Sequence, residues 1–480
     1  MWHNLLLLHR YLGIGIGLLV AAWCLSGVVM MYMPYPEFGG RDELRSLDPI
    51  DLDGCCTTVR GSDTTGPLAS IEGIDRFVLE MSAGRLVTRL VTTDRGPLHV
   101  DLSEGQAFAD ISVERAEQIA LAFAQRLELG GDVQYLGAIE RDQWTVQGTY
   151  QAHRPLHHFA TEDDASTEWY VSGKTGQIVQ LTTVNQRFWN RLGAVVHWLY
   201  PTVLRQRTAA WNQTVVWTSL LGLFLTLTGI VVGIGKLRLR SNGHRSPYRG
   251  WALWHHYAGL IFGLLTLTWL FSGLMSMNPW GALEGRSYRA ERSRLHGPGM
   301  SAQQLRDQLT SLRGLALPEN TVRLESSVFL GRPYLLAWTA DGSVTRLSSE
   351  SLRPEDLAES DFQEAARRLR PDAFIADEGW LREADAYYYS HHDERDFPVY
   401  RVHYEDGERI YLDAVSGAFL QGVDQGRRGA RWYFSALHSG DFSPLLRSRP
   451  LWDVFMLLLL AGVTVGAVSG VVMAKRRLFR

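Results

Sequence analysis

Cysteine is scarce in this sequence: three among 480 residues, with Cys24 inside an apolar run and Cys55 and Cys56 adjacent. Three cysteines cannot build a disulfide framework, and no Cys-x-x-Cys or Cys/His spacing for zinc occurs. Cys24 reads as packing and the vicinal pair as a loop feature. An excess of positive charge is missing as well. Lys and Arg number 48 against 51 Asp and Glu, a formal net charge of -3, which argues against nucleic acid as a partner. A dinucleotide fingerprint is also lacking. "GIGIGLL" at 13–19 follows no strand and lies within an apolar run, so its glycines form no phosphate-binding loop.

The most informative absence is that of charge from four long windows, 11–33, 209–235, 257–283 and 454–474, which contain no Asp, Glu, Lys or Arg. Each reaches the roughly 20 residues that a bilayer-crossing helix requires. Pro279 falls in the third window, so that helix is expected to stop near Met277. Mean hydropathy is only -0.10 although 46 % of residues are hydrophobic, so polar segments must dilute these runs. The 16 Trp and 18 Tyr suit membrane–water interfaces. The first run ends in "SGVVMMYMPYP", which offers no small-x-small cleavage site, so 1–33 is expected to remain as a span.

The division that follows has spans at 1–33, 209–235, 251–278 and 450–474. Polar segments occupy 34–186 and 279–428, and histidine-bearing interfacial segments 187–208 and 429–449. The connection 236–250 and the tail 475–480 are basic. "KLRLRSNGHRSPYR" holds five Lys/Arg and "KRRLFR" four, with no acidic residue in either. By the positive-inside rule both are expected in the cytoplasm, with the N-terminus, leaving the polar segments outside. Helical periodicity in "VERAEQIALAFAQRLEL" and "DFQEAARRLR", with strand patterns in "QWTVQGTY", "EWYVSGKTGQIVQLT", "PVYRVHY" and "ERIYLDAVSGAFLQG", predicts two α+β domains.

The chain is internally duplicated. "HRYLGIGIGLLVAAWCLSG" from 9 aligns with "HHYAGLIFGLLTLTWLFSG" from 255, an offset of 246 that pairs His9 with His255, Trp23 with Trp269, and Ser26-Gly27 with Ser272-Gly273. A second match at offset 241 pairs His197 with His438, Trp211 with Trp452, and "TGIVV" from 228 with "SGVVM" from 469. Two halves of like orientation imply a pseudo-twofold axis along the membrane normal.

Histidine in or beside a span is costly and marks function when it recurs. His9 and His255 open spans one and three; His197 and His438 each lie 14 residues before the Trp that opens span two or four. Facing imidazoles on neighbouring helices suit the two axial positions of a haem iron. One haem cannot bridge a hydrocarbon core of about 30 Å, so one pair near each face suggests two haems. His256 is an alternative to His255, and its counterpart Arg10 suits a haem propionate. Which imidazole pairs with which stays open, since cross-pairing is disfavoured only by depth. No carboxylate or thiolate completes either pair, which disfavours zinc or copper. Further histidines cluster in the polar segments: His153, His157 and His158, and His391 and His392. They are candidate substrate or iron contacts, and otherwise are polar loop residues; "YYY" at 387–389 reads as a strand face rather than an aromatic substrate platform.

Together, "LHRYLGIGIGLL", "WHHYAGLIFGLL", "ALHSGDF", "YVSGKTGQIV" and "YLDAVSGAFL" resemble the PepSY-associated transmembrane family of bacterial inner-membrane proteins, across essentially the whole chain. His9-Arg10-Tyr11-Leu12-Gly13 matches its opening His-Arg-Trp-Leu-Gly motif, and Leu437-His438-Ser439-Gly440 its later Leu-His-Thr-Gly motif. The chain departs from the pattern at "VVHWLYP" and at His256, where arginine is usual. The resemblance implies a four-helix membrane region carrying two periplasmic PepSY-like α+β domains. It also implies likeness to ferric-siderophore reductases with two b-type haems, held by His9, His255, His197 and His438. The expected partners are the lipid bilayer, a ferric siderophore or other periplasmic acceptor, and an external cytoplasmic or membrane electron donor. A PepSY-type binding or regulatory protein without redox activity is the alternative. A transporter is disfavoured, because the spans carry no charged group at mid-depth.

Overall fold

The computed structural model describes residues 2–479 except 53–73, 93–97, 102–105, 108–109, 239–244, 298, 313–315 and 391–394. Cys55, Cys56, His391 and His392 lie outside the described residues. Four helices are long and apolar enough to cross a membrane: Trp2–Met30, Thr208–Lys236, Trp251–Ser276 and Leu451–Leu478. They form a closed ring in which the first packs on the second and fourth, and the third on the same two. The first helix begins at Trp2, so His9 sits about two turns inside it rather than at its mouth. The third stops at Ser276, where Asn278 takes a left-handed φ of 45° ahead of Pro279.

The first polar segment supplies β1 (Ile74–Ser82), β2 (Arg85–Thr92), β3 (Leu98–Asp101) and β4 (Gln106–Ala107), then β5 (Val133–Ile139), β6 (Leu156–Thr161), β7 (Glu168–Ser172) and β8 (Ile178–Thr182). The second supplies β9 (Thr321–Phe329), β10 (Arg332–Thr339) and β11 (Val344–Ser348), then β12 (Ile375–Leu381), β13 (Val399–Tyr404), β14 (Arg409–Asp413) and β15 (Phe419–Val423). β5–β8 and β12–β15 each form a four-stranded antiparallel sheet. Helix Val113–Arg126 covers the first through Ile119 and Phe123 packed near Phe159 and Trp169. Helix Glu359–Leu369 covers the second through Phe362 and Leu369 near Tyr400 and Leu412. Two α+β lobes are therefore present, as the periodicity predicts.

Each polar segment also contributes to something its sequence does not announce. A seven-stranded sheet of order β11-β10-β9-β1-β2-β3-β4 is shared between the halves, joined where β1 runs antiparallel to β9. At that seam Glu80 faces Arg323 across the strands. The Arg323 guanidinium lies 3.0 Å from Glu80 and 2.6 Å from Glu43, and Arg89 also reaches Glu80 at 3.0 Å. Leu79, Leu90, Leu324 and Leu335 pack beneath as one core.

Two expected strands are loops instead. At "QWTVQGTY" the Asp142 carboxylate accepts from the backbone N–H of Trp144 and Thr145 at 2.9 and 3.0 Å, turning the chain before it can pair. Asp385 does the same for Tyr387 and Tyr388, at 2.8 and 2.7 Å, so "YYY" at 387–389 is not a strand face either. Tyr170 and Tyr411 donate their hydroxyls to Asp142 and Asp385, at 2.5 and 2.8 Å, so both lobes repeat the device.

Removing Glu80 would take that partner from Arg89, 19 % exposed, and leave Arg323, 13 % exposed, with Glu43 alone at the seam. Glu80→Ala is expected to destabilise the polar region by about 3 kcal/mol. Thermal unfolding of purified full-length protein, followed by limited proteolysis of the polar region, measures this.

Candidate cofactor site

The four duplicated histidines meet as two pairs. His9 and His255 have ring centroids 6.1 Å apart, tilted by 38°. His197 and His438 have centroids 6.0 Å apart at 76°. The first pair lies toward the end of the bundle that carries the basic connection. The second lies toward the sheets. No cross-pairing occurs: both members of each pair come from matched positions of the two halves.

Every ring is held by the same local arrangement. His9 Nδ1 lies 3.0 Å from the Leu225 carbonyl on the second helix, and His255 Nδ1 2.9 Å from the Gly466 carbonyl on the fourth. His197 Nδ1 lies 3.1 Å from the Trp23 carbonyl on the first helix, and His438 bonds to the backbone of Trp269 on the third. In all four cases a hydroxyl residue follows three positions after the carbonyl, and a glycine comes next: Thr228-Gly229, Ser469-Gly470, Ser26-Gly27 and Ser272-Gly273. A carbonyl only accepts, so Nδ1 carries the proton and Nε2 is left with a free lone pair. The sequence held this signal in the aligned dipeptides, but nothing there revealed that they meet histidines.

At the basic end the glycines make room for the rings. A Cβ at Gly229 would stand 2.7 Å from the His9 ring, and one at Gly470 3.1 Å from the His255 ring. Indole N–H groups fix the sheet-side segments: Trp211 donates to the Trp198 carbonyl at 2.8 Å and Trp452 to that of Ser439 at 2.7 Å. His197 ends a short turn, Ala194–His197, set off from helix Val184–Leu192 by Gly193, where a Cβ would press on Val29 at 2.9 Å. His438 follows a π-helical turn, Arg431–Ala436. Burial holds both sheet-side imidazoles below the usual histidine range, so at neutral pH they are neutral, as ligation requires.

A cavity of about 430 Å³ opens between the four helices around His9 and His255, within the size range of cofactor sites. Each helix gives it two glycines four residues apart: Gly13 and Gly17, Gly229 and Gly233, Gly259 and Gly263, Gly466 and Gly470. Such spacing ordinarily brings helices together. Here a Cβ on Gly17 or Gly259 would meet nothing within 4 Å, so those two face space. Arg10 and Arg477 stand in the lining with Tyr248, and among the described residues no Asp or Glu does.

His256 also lines the cavity, but both of its nitrogens are engaged. Nε2–H donates to the Gly233 carbonyl and Nδ1 accepts from Ser246, each at 2.8 Å. It clasps the basic connection to the helices, leaving His255 as the ring that faces His9. The clustered histidines of the first lobe are separately occupied. His157 is 5 % exposed and bonds Tyr135 and the Ile111 carbonyl. His158 pairs with Glu168 and stacks on Tyr170, and His153 bonds Ser172. Among the described residues no three His, Cys, Asp or Glu side chains gather as a metal-binding group.

No protein-family model matches the chain, and no curated protein matches it significantly.

Gly229→Ala is expected to displace the His9 ring and cost about 1–3 kcal/mol, whereas Gly17→Ala should change stability by no more than about 0.5 kcal/mol. Melting temperatures of the two variants in one detergent decide this.

Proposed function

We propose that this chain is an inner-membrane, haem-containing reductase that passes electrons across the membrane to a periplasmic acceptor, a ferric siderophore, and so releases iron during uptake. The observation that carries the reading is the pair of imidazole clamps. Two imidazoles bound to one metal through Nε2 at about 2 Å each set their centroids about 6 Å apart, the spacing seen at both pairs. Their Nδ1 atoms are tied off, and the cavity around the first pair is flat-walled with glycine. These residues fit haem b at the first position, and the second pair offers the same ligand spacing.

His9 and His255 would hold one haem and His197 and His438 the other. Arg10 and Arg477 suit the carboxylates of the first. Bound haem supplies one-electron chemistry; the protein sets its potential and access. Trp23, whose carbonyl anchors His197, is 14 residues beyond His9 on the same helix, a rise of about 21 Å. That separation spans most of a hydrocarbon core of about 30 Å, so two sites can relay an electron where one cannot. The two lobes, read as PepSY-type domains on the periplasmic side, would hold the acceptor against the sheet-side pair. When the ferric ion gains an electron, hard oxygen ligands hold the ferrous product less tightly. The donor is external, cytoplasmic or in the membrane.

Purified protein from haem-replete cells is expected to be red, with two haems per chain and a low-spin Soret band that sharpens on dithionite. His9→Ala, His255→Ala, His197→Ala and His438→Ala should each lose one haem, while His256→Ala keeps both. A colourless preparation would overturn the reading and favour a binding or regulatory protein.

A further inference from the structure

The two clamps differ in how the hydroxyl beside each ring is placed. At the sheet-side pair the serine hydroxyls approach the imidazoles closely: Ser26 Oγ is 3.1 Å from His197 Nδ1 and Ser272 Oγ 2.9 Å from His438 Nδ1. At the basic-end pair the matching hydroxyls stand off, Thr228 Oγ1 at 3.4 Å from His9 Nδ1 and Ser469 Oγ at 3.4 Å from His255 Nδ1. There the carbonyls at 3.0 and 2.9 Å are the main acceptors.

Each serine has already spent its proton within its own helix. Ser26 donates to the Ala22 carbonyl at 2.7 Å and Ser272 to the Trp269 carbonyl at 2.9 Å. What either oxygen offers the imidazole is a lone pair. The His197 N–H is thus shared between the Trp23 carbonyl and the Ser26 hydroxyl, and the His438 N–H goes to the Ser272 hydroxyl beside the Trp269 backbone. An added acceptor makes an imidazole a stronger electron donor to its metal and favours the oxidised state.

We propose that Ser26 and Ser272 are positioning residues that lower the reduction potential of the sheet-side haem by accepting from the Nδ1–H of its two ligands, while Thr228 and Ser469 have no such role. The proposal rests on the haem reading above. It gives the tier that faces the acceptor its own adjustment, independent of the other.

The test is an optical redox titration of full-length protein in detergent, with the sheet-side step assigned as the one missing from His438→Ala. The double variant Ser26→Ala/Ser272→Ala is expected to keep two low-spin haems and to shift only that step positive. An effect of about tenfold in its equilibrium constant corresponds to 59 mV for one electron. Ser26→Thr/Ser272→Thr should restore the original value, and Thr228→Val/Ser469→Ala should move neither step. The single variant Ser272→Ala, expected to shift the same step by less, serves if the double variant does not fold. An unmoved step, a negative shift, or equal movement of both steps overturns the proposal with the haem reading intact. Wild-type protein without haem overturns the reading itself, before any titration is made.

Discussion

The structure depends on where a buried imidazole N–H can find an acceptor. Inside an apolar bundle an unsatisfied donor costs several kcal/mol, and helix carbonyls are already engaged by N–H groups four residues on. A carbonyl has a second lone pair, however, and it becomes reachable where no side chain stands in the way. Leu225 and Gly466 offer theirs to His9 and His255, beside Gly229 and Gly470. Trp23 and Trp269 do so for the sheet-side rings. Satisfying Nδ1 in this way leaves Nε2 as the nitrogen with a lone pair to offer. Gly229 and Gly470 answer that requirement, while Gly222, Gly263 and Gly462 admit the side chains Leu270, Ile230 and Phe262 of neighbouring helices.

The sheet-side pair sets a harder problem, because its histidines come from segments that follow β8 and β15 in separate lobes. Bringing two such segments to 6.0 Å requires the lobes to be fixed relative to one another. The shared seven-stranded sheet does this, through the β1–β9 pairing and the buried Glu80–Arg323 contact. A second tie runs to the membrane region, where Arg449 donates to the Met31 carbonyl at 2.6 Å. The polar region is thus the scaffold for one tier of the membrane site as well as a surface above it.

Much of this was legible in the sequence, and for a physical reason. Spans announce themselves by lacking charge, and duplication exposes positions under a common constraint, so His9, His197, His255 and His438 stood out without a structure. The shared sheet was not legible, because β1 and β9 are far apart in sequence and carry no pattern that distinguishes an edge seeking a partner from one facing solvent. The loops at Trp144 and Tyr387 misled because their aromatic residues are buried. Burial produced a strand-like pattern, while Asp142 and Asp385 took the backbone hydrogen bonds that a strand would have needed. The Ser/Thr-Gly dipeptides were visible as repeats, but their meaning lies in contacts with other helices.

The duplication is broken most clearly at the basic end of the bundle, and the break gives the cavity a direction. On one side His256 locks Ser246 and the Gly233 carbonyl together, and Tyr248 packs edge-on against its ring at 5.3 Å. On the other side the matching position is Arg10, on the first helix, with Arg477 on the neighbouring fourth helix also in the lining. The pocket is thus closed by a hydrogen-bonded clasp on one flank and lined by two cations on the other. Under the proposed reading, the carboxylates of a haem would meet Arg10 and Arg477, on the first and fourth helices. Equal flanks, as a strict duplication would have kept, could not have made that choice. The divergence of Arg10 from His256 is what orients the site.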